Sequence, residues 1–272
     1  YFNPRLSFLK IITSITLGLG CLSYSTLALG LVGFLHKEVI CLVVLFFFSI
    51  GLYYLRFIIH YNLRILIRQS ITKLGELDYF SIITLLFILS LILINLLGAL
   101  SAPFGIDDIK YHFAIPKRYL NSGAISFFPD IEFSNLPYPI EMLWTIAISL
   151  DSGELAQLLS LFFGILVLCW IYIICNKAII SFPTTVIAWC LFYSISTVGH
   201  QARSGNVEMG GVLFFLAGFY YLYIFYEKYN SRTIILSGIF FGVFSAVKMS
   251  NPAAVIFITL WLLLSLYNKS KS

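Results

Sequence analysis

Three short stretches of this sequence gather side chains that handle protons and phosphates. The first is Asp107-Asp108-Ile109-Lys110-Tyr111-His112, which sets two carboxylates, a cation, a phenol and an imidazole within six positions. The second is HQARSGNVE, with Arg203 and Glu208, and the third is FGVFSAVKMSNP, with Lys248. A carboxylate can take the proton of a reacting hydroxyl, and Lys or Arg can neutralise a phosphate leaving group. Asp107 and Asp108 are therefore the candidate catalytic residues. Lys110, Tyr111, His112, Arg203, Glu208 and Lys248 are the candidate substrate contacts. Each has a plainer reading as well. Either aspartate is a good helix N-cap, Glu208 suits a helix N-terminus, and Lys248 can snorkel at a membrane edge. His112 reads as a satisfied interfacial residue, and Tyr111 and Tyr119 as aromatic anchors. The argument for chemistry rests on the three stretches meeting at one level, which the surrounding elements must arrange.

Those elements are membrane helices. Of 272 residues, 60% are hydrophobic, 17% aromatic and only 11% charged, against roughly 25% charged in a soluble domain. That composition excludes a disordered chain, a secreted disulfide scaffold and an ordinary cytosolic enzyme. Runs of about 20 apolar residues, the length of a bilayer crossing, fall at 8–35, 39–58, 80–102, 154–175, 180–198, 209–226, 233–249 and 251–267. The stretch 139–150 is too short to cross and contains Glu141, so it reads as an interfacial helix. The expected fold is all-α and polytopic, with about eight transmembrane helices and a loop carrying interfacial helices.

Positive charge orients the chain. With both termini cytoplasmic, eight crossings keep Arg5, Arg56, Arg64, Arg68, Lys73, Lys177, Lys228, Arg232, Lys269 and Lys271 on the inner side. Letting 139–150 cross would move the last five outward, against the positive-inside rule. The opening run is long and lacks a clear small-residue cleavage site, so it reads as a span rather than a signal peptide. The net charge of +5 is scattered at helix ends, a topology signal rather than a nucleic-acid surface. Cys21, Cys41, Cys169, Cys175 and Cys190 sit in apolar runs as small packing residues.

Acidic residues mark the region of interest. Eight of the twelve lie from Asp107 to Glu208, and six of these fall in the loop 103–153. A loop of that length in a compact protein is usually functional. Pro103 and Gly105 end the preceding span. Ile109, Phe113, Ile115 and Leu120 then suggest an amphipathic helix on the membrane, kinked at Pro116, with Lys117 and Arg118 toward headgroups.

The ordered segments IDDIKYHFAIPKRYLNSGAI, LPYPIEMLWTIAISLDSGELAQLLSLFFGIL, ARSGNVEMGGVLFFLAGFYY and LSGIFFGVFSAVKMSNP resemble the GT-C superfamily of membrane glycosyltransferases. The similarity is to the branch of protein O-mannosyltransferases and the lipid A aminoarabinose transferase. It covers about 80–267 and divides the chain into an N-terminal two-helix segment with a cytoplasmic loop, 1–79, and a core, 80–272. The sequence departs from the family at Pro137-Tyr138-Pro139, where Pro-Pro is common, and at Glu208, where Asp is usual. The resemblance implies that Asp107 acts as general base, with Asp108 beside it, and that Lys110 and Lys248 hold the phosphate of a lipid carrier. The implied donor is a sugar on a polyprenyl phosphate, transferred on the outer membrane face. The sequence offers no ligand set that decides whether a divalent metal takes part.

Two other classes compete. A non-catalytic subunit packed among other membrane subunits would suit the short chain and its aromatic content. A transporter fits less well, because the spans are nearly free of charge.

Overall fold

The computed structural model describes residues 4–103, 105–131, 133–134, 138–150 and 152–271. Glu132, Pro137 and Asp151 lie outside the described residues, as do the side chains of Arg5, Arg64 and Lys271. Among the described residues the chain is all helical, with no strand. The order is α1 (Pro4–Leu31), α2 (Lys37–Gly75), α3 (Tyr79–Ala99), a π-helix (Asp108–His112), α4 (Ala114–Ser122), α5 (Pro139–Ser149), α6 (Gly153–Lys177), α7 (Phe182–Tyr193), α8 (Ser196–Gln201), α9 (Glu208–Lys228), α10 (Ser231–Val247) and α11 (Asn251–Lys271). Six of these helices, α1, the first half of α2, α3, α6, α9 and α11, are long and apolar enough to cross a membrane. The protein is thus an all-α, multi-pass membrane protein.

The apolar runs appear as helices because nothing in them breaks the backbone ladder, and their ends are set by recognisable caps. The side chains of Asp78, Ser152, Ser181 and Asn230 accept N–H bonds at the starts of α3, α6, α7 and α10, as short polar side chains do at N-caps. Three elements differ from the sequence reading. Residues 59–75, expected as part of a loop, continue α2 to 39 residues, about 58 Å at the usual rise, because no Gly or Pro interrupts them before Gly75. The run 180–198 divides into α7 and α8, with Ser194 as C-cap and an extended Ile195 between. The run 233–249 yields a helix of 17 residues, ended by an extended Lys248.

The core lies around α6 and α9. Trp144, Phe163, Trp170, Phe214 and Phe240 are fully or almost fully buried there. Gly218 lets α10 approach α9: a Cβ there would sit 2.9 Å from the Phe241 ring. By contrast, only 6% of the membrane stretches of α2 and α11 is buried. They are the peripheral helices of the bundle.

Backbone and side-chain bonds draw one end together. Gln157 near the start of α6 donates toward the carbonyls of Gly98, Ala99 and Ser101 at the end of α3 and of Arg203 after α8. Leu35 donates to the Gly123 carbonyl and Ile125 to that of Gly30, so the 103–153 loop is stitched to the end of α1. We refer to this as the loop end.

Candidate functional site

The first acidic stretch folds as a π-helix rather than an α-helical turn. Phe113 donates its N–H to the Asp108 carbonyl, five residues back. Such widened turns often occur at functional sites. The geometry separates the two aspartates. Asp107 is exposed, while Asp108 faces inward and is 1% exposed. Neither is a helix cap: Asp107 stands at the N-cap position with helical backbone angles and no side-chain cap bond. The capping explanation for the pair therefore fails.

Asp107 and Tyr111, one turn apart, pair through their side chains. On the other face, His112 is buried and its Nδ1 lies 2.8 Å from Glu141 Oε1 on α5. His112 is thus not a simple interfacial residue. Pro139 opens α5, where a missing N–H costs nothing, and Ser23 of α1 donates to its carbonyl. These contacts bring Glu141 into the packed interior, at 0% exposure.

The HQARSGNVE stretch is the hub. The Gly205 backbone N–H faces the Asp108 carboxylate and favours its charge. A side chain there is forbidden by space: a Cβ would lie 2.2 Å from the Phe113 ring. Two residues earlier, Arg203 lays its aliphatic stem over Gly98, where a Cβ would meet its Cδ at 2.7 Å. The buried Nε of Arg203 has no partner. His200, in α8, contributes its field to Asp108. Three residues after Gly205, Glu208 begins α9 and takes the Lys248 ammonium at 2.7 Å. The charge of Tyr111 is in turn disfavoured by burial first, then by Asp107, and then by Glu208 and Glu141.

The structure pairs His112 with Glu141 and Glu208 with Lys248 directly, while Tyr111 feels Asp107 and Glu208, Asp108 feels His112, and Arg203 lies in the same segment as Gly205 and Glu208. Lys110 is exposed on the π-helix. Lys248 does not snorkel alone, since it is ion-paired. Sequence reasoning missed Glu141, His200 and Gly205 as parts of the site. The available signal for Glu141 was a carboxylate inside an otherwise apolar helix, which usually has a partner.

Other loop residues take structural roles. Tyr119, expected as an interface anchor, is fully buried against α5 and Phe128. Pro116 falls in the first turn of α4 and makes no kink, because α4 starts only at Ala114. Arg118 pairs with Asp130 and lies 5.2 Å over the Phe128 ring.

Burial raises the Asp108 and Glu141 carboxyls above their ordinary range, against the lowering effects of the Gly205 N–H and of His112. Burial likewise pushes the Tyr119 phenol to about 12. Among the described residues, no three His, Cys, Asp or Glu side chains stand where one metal ion could take all of them.

An apolar groove of about 280 Å³ lies between α1 and α10 over Phe214 of α9. Leu17, Cys21, Tyr24, Ile239 and Val243 line it, and no charged residue does.

No protein-family model matches this chain, and no solved structure matches it. An uncharacterized protein of Shigella flexneri is 23% identical over 203 residues, covering 72% of this chain and 92% of that protein. That similarity carries no activity with it.

Proposed function

We propose that this protein is a membrane glycosyltransferase of the GT-C type. It moves a sugar from a polyprenyl-phosphate carrier to an acceptor hydroxyl at the loop end, on the outer face of the membrane. In this reading α7 and α8 together make one broken crossing, α10 makes another, and α5 does not cross, giving eight crossings with both termini inside.

The observation that carries the reading is the set of charged side chains at the loop end with buried atoms left unpaired. Asp108 Oδ1, Glu141 Oε2, Arg203 Nε and Glu208 Oε2 all lack partners. Buried polar atoms are nearly always satisfied, so such a concentration calls for a reason, and for Arg203 and Glu208 a polar ligand is one. The exposed Asp107 stands at its edge.

The chemistry follows from those positions. As the acceptor oxygen attacks the anomeric carbon, its proton passes to the Asp107 carboxylate. The bond from that carbon to the phosphate oxygen breaks, and the polyprenyl phosphate leaves as an anion. Arg203 is the better-placed cation for that anion, because Lys248 already shares its charge with Glu208. The apolar groove would take part of the lipid chain. Val243 on its wall lies five residues before Lys248, about 7 Å along the helix.

The competing subunit reading draws on the sparsely packed α2 and α11, which could cover a neighbour. The deciding experiment uses the full chain in lipid nanodiscs with polyprenyl-phosphate-linked sugars, following release of polyprenyl phosphate. Turnover that Asp107→Asn removes supports the enzyme. No turnover with any such donor, together with co-purifying membrane subunits, supports the alternative.

A further inference from the structure

Behind a rim of exposed Asp107 and Lys248 and half-buried Tyr111 and Glu208 lies a buried second layer. Glu141 offers one oxygen to His112 Nδ1 at 2.8 Å, and its other oxygen has no partner. The Gly205 N–H faces the Asp108 carboxylate, whose Oδ1 is buried without a partner. His112 is hydrogen-bonded to Glu141 and lies near enough to Asp108 for its charge to be felt there. All three side chains are withdrawn from water.

The charge count is unfavourable without extra protons. With both carboxylates ionised, the cluster carries two negative charges around a neutral ring, or one around an imidazolium. An isolated buried charge is costly, and such a group usually takes or loses a proton instead. Two unpaired carboxylate oxygens are places where a proton can reside.

We propose that Asp108, His112 and Glu141 form a buried proton-holding site in which one carboxyl stays protonated at neutral pH, with Glu141 acting as the positioning residue that fixes the His112 ring. Other titratable groups bear on this cluster. Asp107 and Tyr111 do so from the same segment, and His200 from α8. Tyr119 on α4 and Tyr138 before α5 face Glu141. Glu208 on α9 reaches the edge through Tyr111. The direction in which burial moves both carboxyls agrees with the geometry.

The functional consequence rests on the glycosyl-transfer reading. A phosphate-linked donor is anionic. Two ionised carboxylates behind Asp107 would repel it, and a proton held on one of them reduces that repulsion.

The test needs no donor. Infrared spectra of the full chain at pH 7, in ether-lipid nanodiscs whose lipids have no ester carbonyl, would report protonated carboxyl C=O groups. The expected result is a band that falls as pH rises, disappears in the Asp108→Asn/Glu141→Gln double variant and persists in Asp130→Asn. A wild-type spectrum with no such band at pH 7 overturns the proposal without any variant having to fold. So does a band that survives the double variant. Histidine-labelled protein adds the positioning readout: the Nδ1 resonance of His112, assigned by its loss in His112→Gln, should shift in Glu141→Gln. An unchanged resonance removes the role given to Glu141. Presence of the band without donor turnover would sink the transfer reading alone, while turnover without the band would sink this proposal alone.

Discussion

The two ends of the bundle treat charge differently. Away from the loop, Lys177 on α6 meets Glu227 on α9 at 2.5 Å, with both side chains about a third exposed. The Lys269 ammonium lies 5.1 Å over the Tyr226 ring and 4.7 Å over that of Tyr229. Lys73 closes the α2 terminus on Glu76. These charges sit at helix ends, within reach of water. At the loop end, Asp108 and Glu141 are buried and each has an oxygen without a partner. Positive charge at helix ends is what membrane topology requires. Carboxylates pulled inside a fold are costly and need another explanation. The contrast is between charge left at helix ends within reach of water and charge drawn into the packed interior.

The largest effect expected from breaking this contrast is on turnover. Asp107→Asn keeps the side-chain shape but cannot accept the acceptor's proton, so donor turnover should fall by about 10²–10⁴-fold, the usual cost of losing a general base. Glu227→Gln at the other end should leave turnover unchanged. Equal losses in the two variants, measured as polyprenyl phosphate release, would erase the functional distinction between the ends.

The next effect is on the fold of the site. Gly205→Val would drive a branched side chain into the Phe113 ring, which lies 2.2 Å from the position of a Cβ. Overpacking of this kind costs about 1–3 kcal/mol. A thermal melt should show that loss, whereas Gly75→Ala at the end of α2, where a Cβ meets nothing within 4 Å, should be neutral. An unshifted Gly205→Val melt would mean that the loop relaxes and does not hold Asp108 in place.

How far was this arrangement legible beforehand? The long helices were, because an uninterrupted apolar run of bilayer length has few other solutions. The charged stretches were too, since Asp107, Glu208 and Lys248 stand out against such a background. The inward turn of Asp108 was not legible. Neighbouring residues point about 100° apart on any helix, and IDDIKYHFAIP fits an ordinary amphipathic helix without marking which aspartate turns inward. Glu141 was visible but counted against a crossing, because its partner His112 lies 29 residues away and on another element. The break at Ile195 carries neither Gly nor Pro, so no local signal marks it.

A smaller effect concerns pH. The native state holds Asp108 and Glu141 above their ordinary carboxyl values, so between the unfolded and folded values it binds more protons than the unfolded chain. Stability should therefore fall as pH rises from about 4, the unfolded carboxylate value, through the raised folded values. The Asp108→Asn/Glu141→Gln variant should flatten that decline. An unaltered slope in pH-dependent melts would place its origin elsewhere.

The smallest effect compares one ion pair from each end. Lys248→Met and Lys177→Met both keep the apolar stem and remove the ammonium. At the far end, Glu227 retains the Tyr223 hydroxyl as a partner and stays within reach of water, so the melting temperature should move by no more than about 1 °C, as for a weak surface pair. At the loop end, Glu208 has one oxygen on Lys248 and the other buried without a partner. Losing the lysine leaves the carboxylate partly desolvated and uncompensated, which is worse than losing an exposed pair. The expected shift is about 2–4 °C, the scale of roughly 1 kcal/mol in a protein of this size. Melts of both variants in the same lipid would measure the difference directly. If Lys177→Met proves the more costly, the ends differ in composition but not in how they hold charge. If Lys248→Met is the costlier and also weakens binding of a polyprenyl-phosphate donor, the Glu208–Lys248 pair belongs to the donor site. A stability loss with donor binding intact would make the pair a brace between α9 and α10 and leave the anion to Arg203.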